Sequence, residues 1–226
     1  MSAENAFWNT TNVVAFSSAI AGAFFGSLSA FCLGRLQQKR DLRDRRHSAL
    51  LATQYALLSQ WNILENVRRQ HLEPLRQDPM RFTKLSRFYT INAHCSVPFS
   101  EITFIANLDE PNLLQEIHIA EQSYLNAILA IDLYNQKREE FFKRAEDRVE
   151  RFDEETGKTT IATAPTEVFM MRSVTDILYQ SVDKALPKLD EEVVKIWKFV
   201  KRNFKGMKAI KCAPKPEENT SETASK

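Results

Sequence analysis

Glycine, histidine and cysteine are all scarce in this chain. Of 226 residues only 5 are Gly, and Gly22, Gly26 and Gly34 share one stretch. So few turn-formers elsewhere exclude a sandwich or barrel of many short strands. The 4 His residues, His47, His71, His94 and His118, are scattered. Cys32, Cys95 and Cys212 are an odd number at unrelated spacings. They fit neither a disulfide framework nor a metal knuckle, which points to a reducing compartment for most of the chain.

The motifs of chemistry are missing too. There is no Walker loop, dinucleotide fingerprint, HExxH or GxSxG. His118 and Glu121 stand three apart, as in half of a di-metal bundle motif. The matching Glu-x-x-His pairs on other helices are absent. His94 and Cys95 are adjacent, and neighbours in a chain rarely face each other as a nucleophile pair would. The sequence therefore predicts no enzyme, no cofactor and no metal site. A net charge of +2 is too small to expect nucleic acid as a partner.

What is present begins with a run lacking charge. From Asn5 to Gly34 there are 30 residues without a formal charge. The apolar part, 13–34, is expected to be a transmembrane helix. Val13 to Leu33 is 21 residues, about 31 Å as a helix, which matches a hydrocarbon core of roughly 30 Å. Phe7 and Trp8 suit the headgroup layer. A cleaved signal peptide would need a basic start, and residues 1–12 carry only Glu4. Arg35, Lys39, Arg40, Arg43, Arg45 and Arg46 follow the run, and no Lys or Arg precedes it. That asymmetry predicts a short extracytoplasmic N-terminus, 1–12, and a cytoplasmic remainder, the layout of a bacterial inner-membrane protein. Within the run, Ser18, Gly22, Gly26, Ala30 and Gly34 recur every four residues. Such a stripe lets two helices approach closely, and predicts a homo-oligomer formed through the span.

The remaining sequence reads as helical. No Pro or Gly interrupts residues 35–70, where Leu50, Leu51, Ala56, Leu57, Leu58, Trp61, Leu64 and Val67 give an apolar stripe. The membrane helix is thus expected to run on as a rod until Pro74 and Pro79. Short helices follow, one with Phe82, Leu85, Phe88 and Tyr89 on one face. Another has Phe99, Ile102, Ile105 and Ala106 inward, preferred over a lone strand at "EITFIA". After Asp109-Glu110-Pro111, a good start signal, a seam runs through Leu114, Ile117, Glu121, Tyr124, Ile128, Ile131, Asn135, Arg138, Phe142, Ala145, Val149 and Phe152. Its polar members are candidate register-setting groups, as in a coiled coil. A polar turn is expected around Gly157. A helix from about Thr166, with Val168, Met171, Val174, Ile177, Leu178 and Val182 inward, should stop at Pro187. A last one, 190–204, carries Val193, Val194, Ile196, Trp197, Val200 and Phe204. The class is all-α: an elongated cytoplasmic bundle over 35–211 of three long helices plus short ones, with a disordered tail, 212–226.

Two charge features stand out. Residues 195–211 hold Lys195, Lys198, Lys201, Arg202, Lys205, Lys208 and Lys211 and no acid. With Trp197 they form a basic amphipathic segment, a type that binds anionic lipid or closes a bundle. An up-down-up course of three helices would leave its end about 50 Å from the bilayer, far beyond the roughly 8 Å screening length. Residues 139–155 hold eight acids and four cations, a solvated face or a mate for the basic segment. Together these features predict a membrane-anchored interaction or scaffold module with an unidentified protein partner. The alternatives are a signal transducer, or a defence- or phage-type effector that oligomerises in the bilayer.

Overall fold

A computed structural model of the chain describes residues 10–89, 95–108, 110–146, 149–153, 158–161, 164–204, 206–208 and 210. Side chains within those ranges are described from 14 to 144 and from 164 onward. The N-terminal residues 1–9, the turn at Gly157 and the tail 212–226 lie outside the described residues. The chain divides into two compact units, Met1–His47 and Ser48–Lys226.

Helix α1, Thr10–Val67, is unbroken over 58 residues. In the second unit it buries Leu50, Leu57 and Leu64 completely. Their seven-residue spacing is the seam of a packed helix, and each such burial stabilises by about 1.5–3 kcal/mol. After Val67 the helix loosens into one π-helical turn, Arg68–Leu72, then a 3-10 turn, Glu73–Leu75. Pro74 explains the change. It has no N–H to donate, and its ring crowds the carbonyl four residues back.

The described residues between 76 and 110 form short and irregular pieces. Helix α2 is only Arg81–Lys84. Phe82, Leu85 and Phe88 are buried as expected, but Tyr89 is 93% exposed. The expected single face fails because the helix ends at Lys84 and the backbone at Leu85 is already extended, so Phe88 and Tyr89 do not continue the helical spacing. Helix α3, Phe99–Ile102, runs into a 3-10 stretch, Thr103–Asn107, so "EITFIA" is helical. The three-residue period of that stretch buries Ile102 and Ile105 and turns Ala106 outward.

Helix α4, Pro111–Glu146, buries Leu113, Ile117, Ala120, Tyr124, Ala127, Ile131 and Tyr134 at alternating four and three spacings. The expected seam stops sooner than the sequence suggested. Val149 and Phe152 belong to strand β1, Val149–Asp153, which pairs antiparallel with β2, Lys158–Ile161. Valine, phenylalanine, threonine and isoleucine favour that pairing. A register shift between Val149 and Arg151 marks a bulge.

Helix α5, Pro165–Asn203, is one helix where two were expected. Pro187 sits inside it, exposed on its outer side. There the carbonyl that loses its N–H partner can bond water, so the break costs less than it would in the core. Ile177, expected inward, is exposed, and Thr175 and Tyr179 are buried instead.

The helices of the second unit run antiparallel in an order the sequence did not suggest. Lys188 and Lys195 of α5 meet Ser123 and Glu116 of α4, and Arg202 of α5 meets Glu110 just before α4, in reverse sequence. Along α1, Tyr179 bonds the Leu72 carbonyl and Gln54 bonds the Val193 carbonyl. The C-terminal end of α5 therefore lies beside the first turns of α1 in this unit and the first turn of α4. The up-down-up course was wrong because it gave 76–110 no length of its own. That segment returns the chain to the starting end, so α4 goes out and α5 comes back.

Candidate functional site

The N-terminal half of α1 presents large apolar side chains to its surroundings. Val14, Phe16, Ile20, Phe24, Phe25, Leu28, Phe31 and Leu33 are all exposed. The most apolar 18-residue window has a mean hydropathy of 1.6, and none of it is buried. One helix here is thus long and apolar enough to cross a membrane. Its serines are adapted to such a place. Ser17 and Ser18 donate to the Val14 and Ala15 carbonyls (3.0 and 2.9 Å), and Ser27 to that of Phe24 (2.9 Å). A hydroxyl satisfied within its own helix does not need water. At the end of the run the Arg35 guanidinium lies 4.7 Å above the Phe31 ring.

Ser18, Gly22, Gly26, Ala30 and Gly34 are exposed along this half. A methyl group built onto Gly22, Gly26 or Gly34 would meet nothing within 4 Å. The chain itself therefore has no steric need for glycine at these places. Arg35, Lys39, Arg40, Arg43 and Arg45 of the basic flank are exposed and Arg46 is half-buried.

The basic segment is divided in role. Its apolar members Ile196, Val200 and Phe204, with Phe199, are in the core, so they offer no stripe for lipid. Lys195 is bound to Glu116, Glu191 and Glu192 at 2.7–3.0 Å. Arg202 pairs with Glu110. Lys201 stands 4.1 Å above the half-buried Trp197 ring. Lys198 and Lys208 are exposed, and Lys205 and Lys211 lie outside the described residues. Gly206, at φ 84°, reverses the chain after α5, in a region that favours glycine. The reversal lets the Ile210 carbonyl accept from Gln54 at 3.0 Å. The acidic residues Glu139 and Glu140 lie at the other end of α4 and pair with Arg87 and Lys137. They are not partners of the basic segment.

The polar members of the α4 seam hold backbone, which periodicity alone did not reveal. Glu121 accepts from the Val97 N–H at 2.7 Å. Asn135 both accepts from and donates to the Phe88 backbone, each at 2.9 Å. Arg138 and Tyr134 donate to the Leu85 carbonyl at 3.0 and 2.6 Å, and Gln60 of α1 donates to the Cys95 carbonyl at 2.7 Å. Irregular backbone packed on a core must find such partners, because an unpaired polar group costs about 1–3 kcal/mol. His118 is exposed, with its ring edge-on to Phe99. With Glu121 turned inward, the pair does not converge on one point. His94 lies outside the described residues.

Two buried carboxylates have opposite electrostatics. Burial works against the charge of Glu65, but hydrogen bonds from Arg68 (2.8 Å) and Arg69 (2.6 Å) outweigh it and hold the group below its usual range. Burial pushes Glu192 up, against the hydrogen bond from Lys195 and with the help of Glu116 and Glu191. The folded form of Glu65 is thus more acidic than the unfolded. Its contribution is present above about pH 4.5 and is lost as pH falls through the lowered value. Glu192 is the reverse: its contribution is complete below the unfolded value and is lost as pH rises through the raised one. At neutral pH, Glu65→Gln is expected to lower stability and Glu192→Gln to raise it. Urea unfolding of the full chain in detergent measures both, and equal signs would contradict the assignment.

Two surface clefts among the described residues gather charged side chains. One, of about 350 Å³, is lined by Arg76, Arg81, Arg172, Asp176 and Phe82. Its cations are largely answered: Arg76 makes a two-point pair with Asp183, and Arg81 bonds Asp176. The other, of about 370 Å³, lies between Glu110, Glu116, Lys195 and Arg202, the groups already paired across α4 and α5. Compared with known protein families, curated proteins and solved structures, the chain matches none of them.

Proposed function

We propose that the chain is a single-pass membrane protein whose helical unit is a cytoplasmic interaction or scaffold module. Its copies associate through the small-residue stripe of α1. The observation that carries this reading is the exposed apolar half of α1. Eight large apolar side chains there are exposed. At about 1.5–3 kcal/mol each, leaving them in water forgoes on the order of 10 kcal/mol. A bilayer removes that cost with no further protein.

The orientation rests on the flanks. Six cations follow the run and none precedes it, so the N-terminus is outside and the helical unit in the cytoplasm. A bacterial inner membrane suits this layout. We take the role to be non-enzymatic, a reading that rests on the sequence, which carries no Walker loop, dinucleotide fingerprint, HExxH or GxSxG. Alkaline carbonate extraction of membranes tests the anchor: the chain should stay in the pellet, and its release into the supernatant would contradict the reading.

A further inference from the structure

We propose that the outer face of α4 is a docking surface for the same face of a second copy, laid antiparallel. The surface belongs to the helical unit alone and is separate from the small-residue stripe of α1.

A stretch of α4 reads nearly alike in both directions. Gln122 to Gln136 is QSYLNAILAIDLYNQ. About Leu129, Gln122 mirrors Gln136, Tyr124 mirrors Tyr134, Leu125 mirrors Leu133 and Asn126 mirrors Asp132. A helix turns about 100° per residue, which sorts the mirrored residues onto two sides. Tyr124 and Tyr134 are buried in the unit's own core. The other mirrored residues lie within about 60° of Leu129, and every one of them is exposed. Leu125, Leu129 and Leu133 form an apolar stripe down the middle of this side, with Leu129 64% exposed. Amide and carboxylate groups border it. An apolar centre with a polar rim is the anatomy of a protein interface.

Complementarity selects both the occupant and its direction. A two-fold axis through Leu129 sets each residue level with its mirror in the other copy. Leu125 then meets Leu133, Gln122 meets Gln136, and the Asn126 amide donates to the Asp132 carboxylate. Farther out on the same side, His118 comes level with Glu140, and Gln115 with Lys143. An imidazole N–H donates to a carboxylate whether the ring is charged or neutral. Glu140 accepts from Lys137 and Gln136 in its own chain, and a carboxylate has lone pairs for a further donor. Parallel copies would instead set each residue against itself. Asp132 would face Asp132, Glu140 would face Glu140 and Lys143 would face Lys143, and such like charges repel. A partner of another sequence would have to reproduce this mirror. A second copy already carries it.

The test uses the full chain in detergent, with Cys32, Cys95 and Cys212 replaced by serine. Copies with Leu125→Cys and copies with Leu133→Cys, told apart by tags, are mixed and treated with a short bismaleimide. The two positions are about 12 Å apart along the helix. Antiparallel copies should therefore join 125 to 133, with little joining of either position to itself. Leu129→Cys, on the axis, should join to itself. The pattern should persist in a Gly22→Ile/Gly26→Ile background, so this contact and the α1 stripe fail separately. Leu129→Glu sets two carboxylates face to face and should cut the 125-to-133 yield on the order of tenfold. Asn126→Asp keeps the size of the side chain, places like charges opposite each other and should lower the yield as well. Both positions are exposed, so circular dichroism should show unchanged helix. Equal yields for like and unlike pairs, preferential joining of 125 to itself, or no joining at 129 overturns the proposal.

Discussion

Replacing Tyr134 with alanine is expected to destabilise the helical unit by about 3–5 kcal/mol, and phenylalanine at the same position by about 1 kcal/mol. The ring is fully buried and lies edge-on to Phe88 with centroids 5.8 Å apart. Its hydroxyl donates to the Leu85 carbonyl at 2.6 Å. Burial pushes the phenol up to about 12, with Arg138 opposing, so it stays a neutral donor across the working range. Alanine leaves a void between α4 and the returning segment, and the tight packing of a core cannot close it. Phenylalanine keeps the volume and loses only the hydroxyl, while Arg138 still holds the same carbonyl. Domains of this size have about 5–15 kcal/mol in total, so the alanine variant gives up a fifth or more of it. Urea unfolding followed by far-UV circular dichroism separates the two. Equal losses for alanine and phenylalanine would show that the hydroxyl, and not the packing, holds the segment.

Gly22→Ile/Gly26→Ile is expected to reduce association of full-length copies on the order of tenfold, with no loss of membrane insertion. The reason lies in what surrounds these glycines. A side chain added at either position meets nothing within 4 Å in its own chain. Isoleucine also suits a helix better than glycine does. A single copy therefore has no steric cause to object. A second helix packed on the stripe would be pushed away, because close approach there depends on the missing side chain. Energy transfer between copies labelled at the C-terminus, at fixed lipid-to-protein ratio, reads the effect. Ile20→Leu, off the stripe, is the control. Unchanged transfer in the double variant would remove the span as the association surface.

Some parts of this molecule were plain in its sequence and others were not, for physical reasons. The apolar half of α1 was legible because length and absence of charge are local properties. The Leu50, Leu57 and Leu64 seam was legible because a helical period is carried by each residue in turn. The return of residues 76–110 was hidden. Its course is fixed by Glu121, Asn135, Tyr134, Arg138 and Gln60, groups distant in sequence that bond irregular backbone. Such pairings leave no period. Missing that return misplaced the end of α5 relative to α4. Pro187 misled for another reason: a proline on the outer side of a helix loses a bond that water can replace. The hairpin after α4 was overlooked because Val149 and Phe152 fit the helical spacing as well as the strand.

The central claim is that the exposed apolar half of α1 resides in a bilayer. Alkaline carbonate extraction of membranes from cells making the full chain tests it most directly. The account predicts that the protein stays in the membrane pellet and is released only by detergent. It also predicts that Gly22→Ile/Gly26→Ile stays there too, since that change removes association and not insertion. Release of the wild-type chain into the carbonate supernatant would contradict the claim.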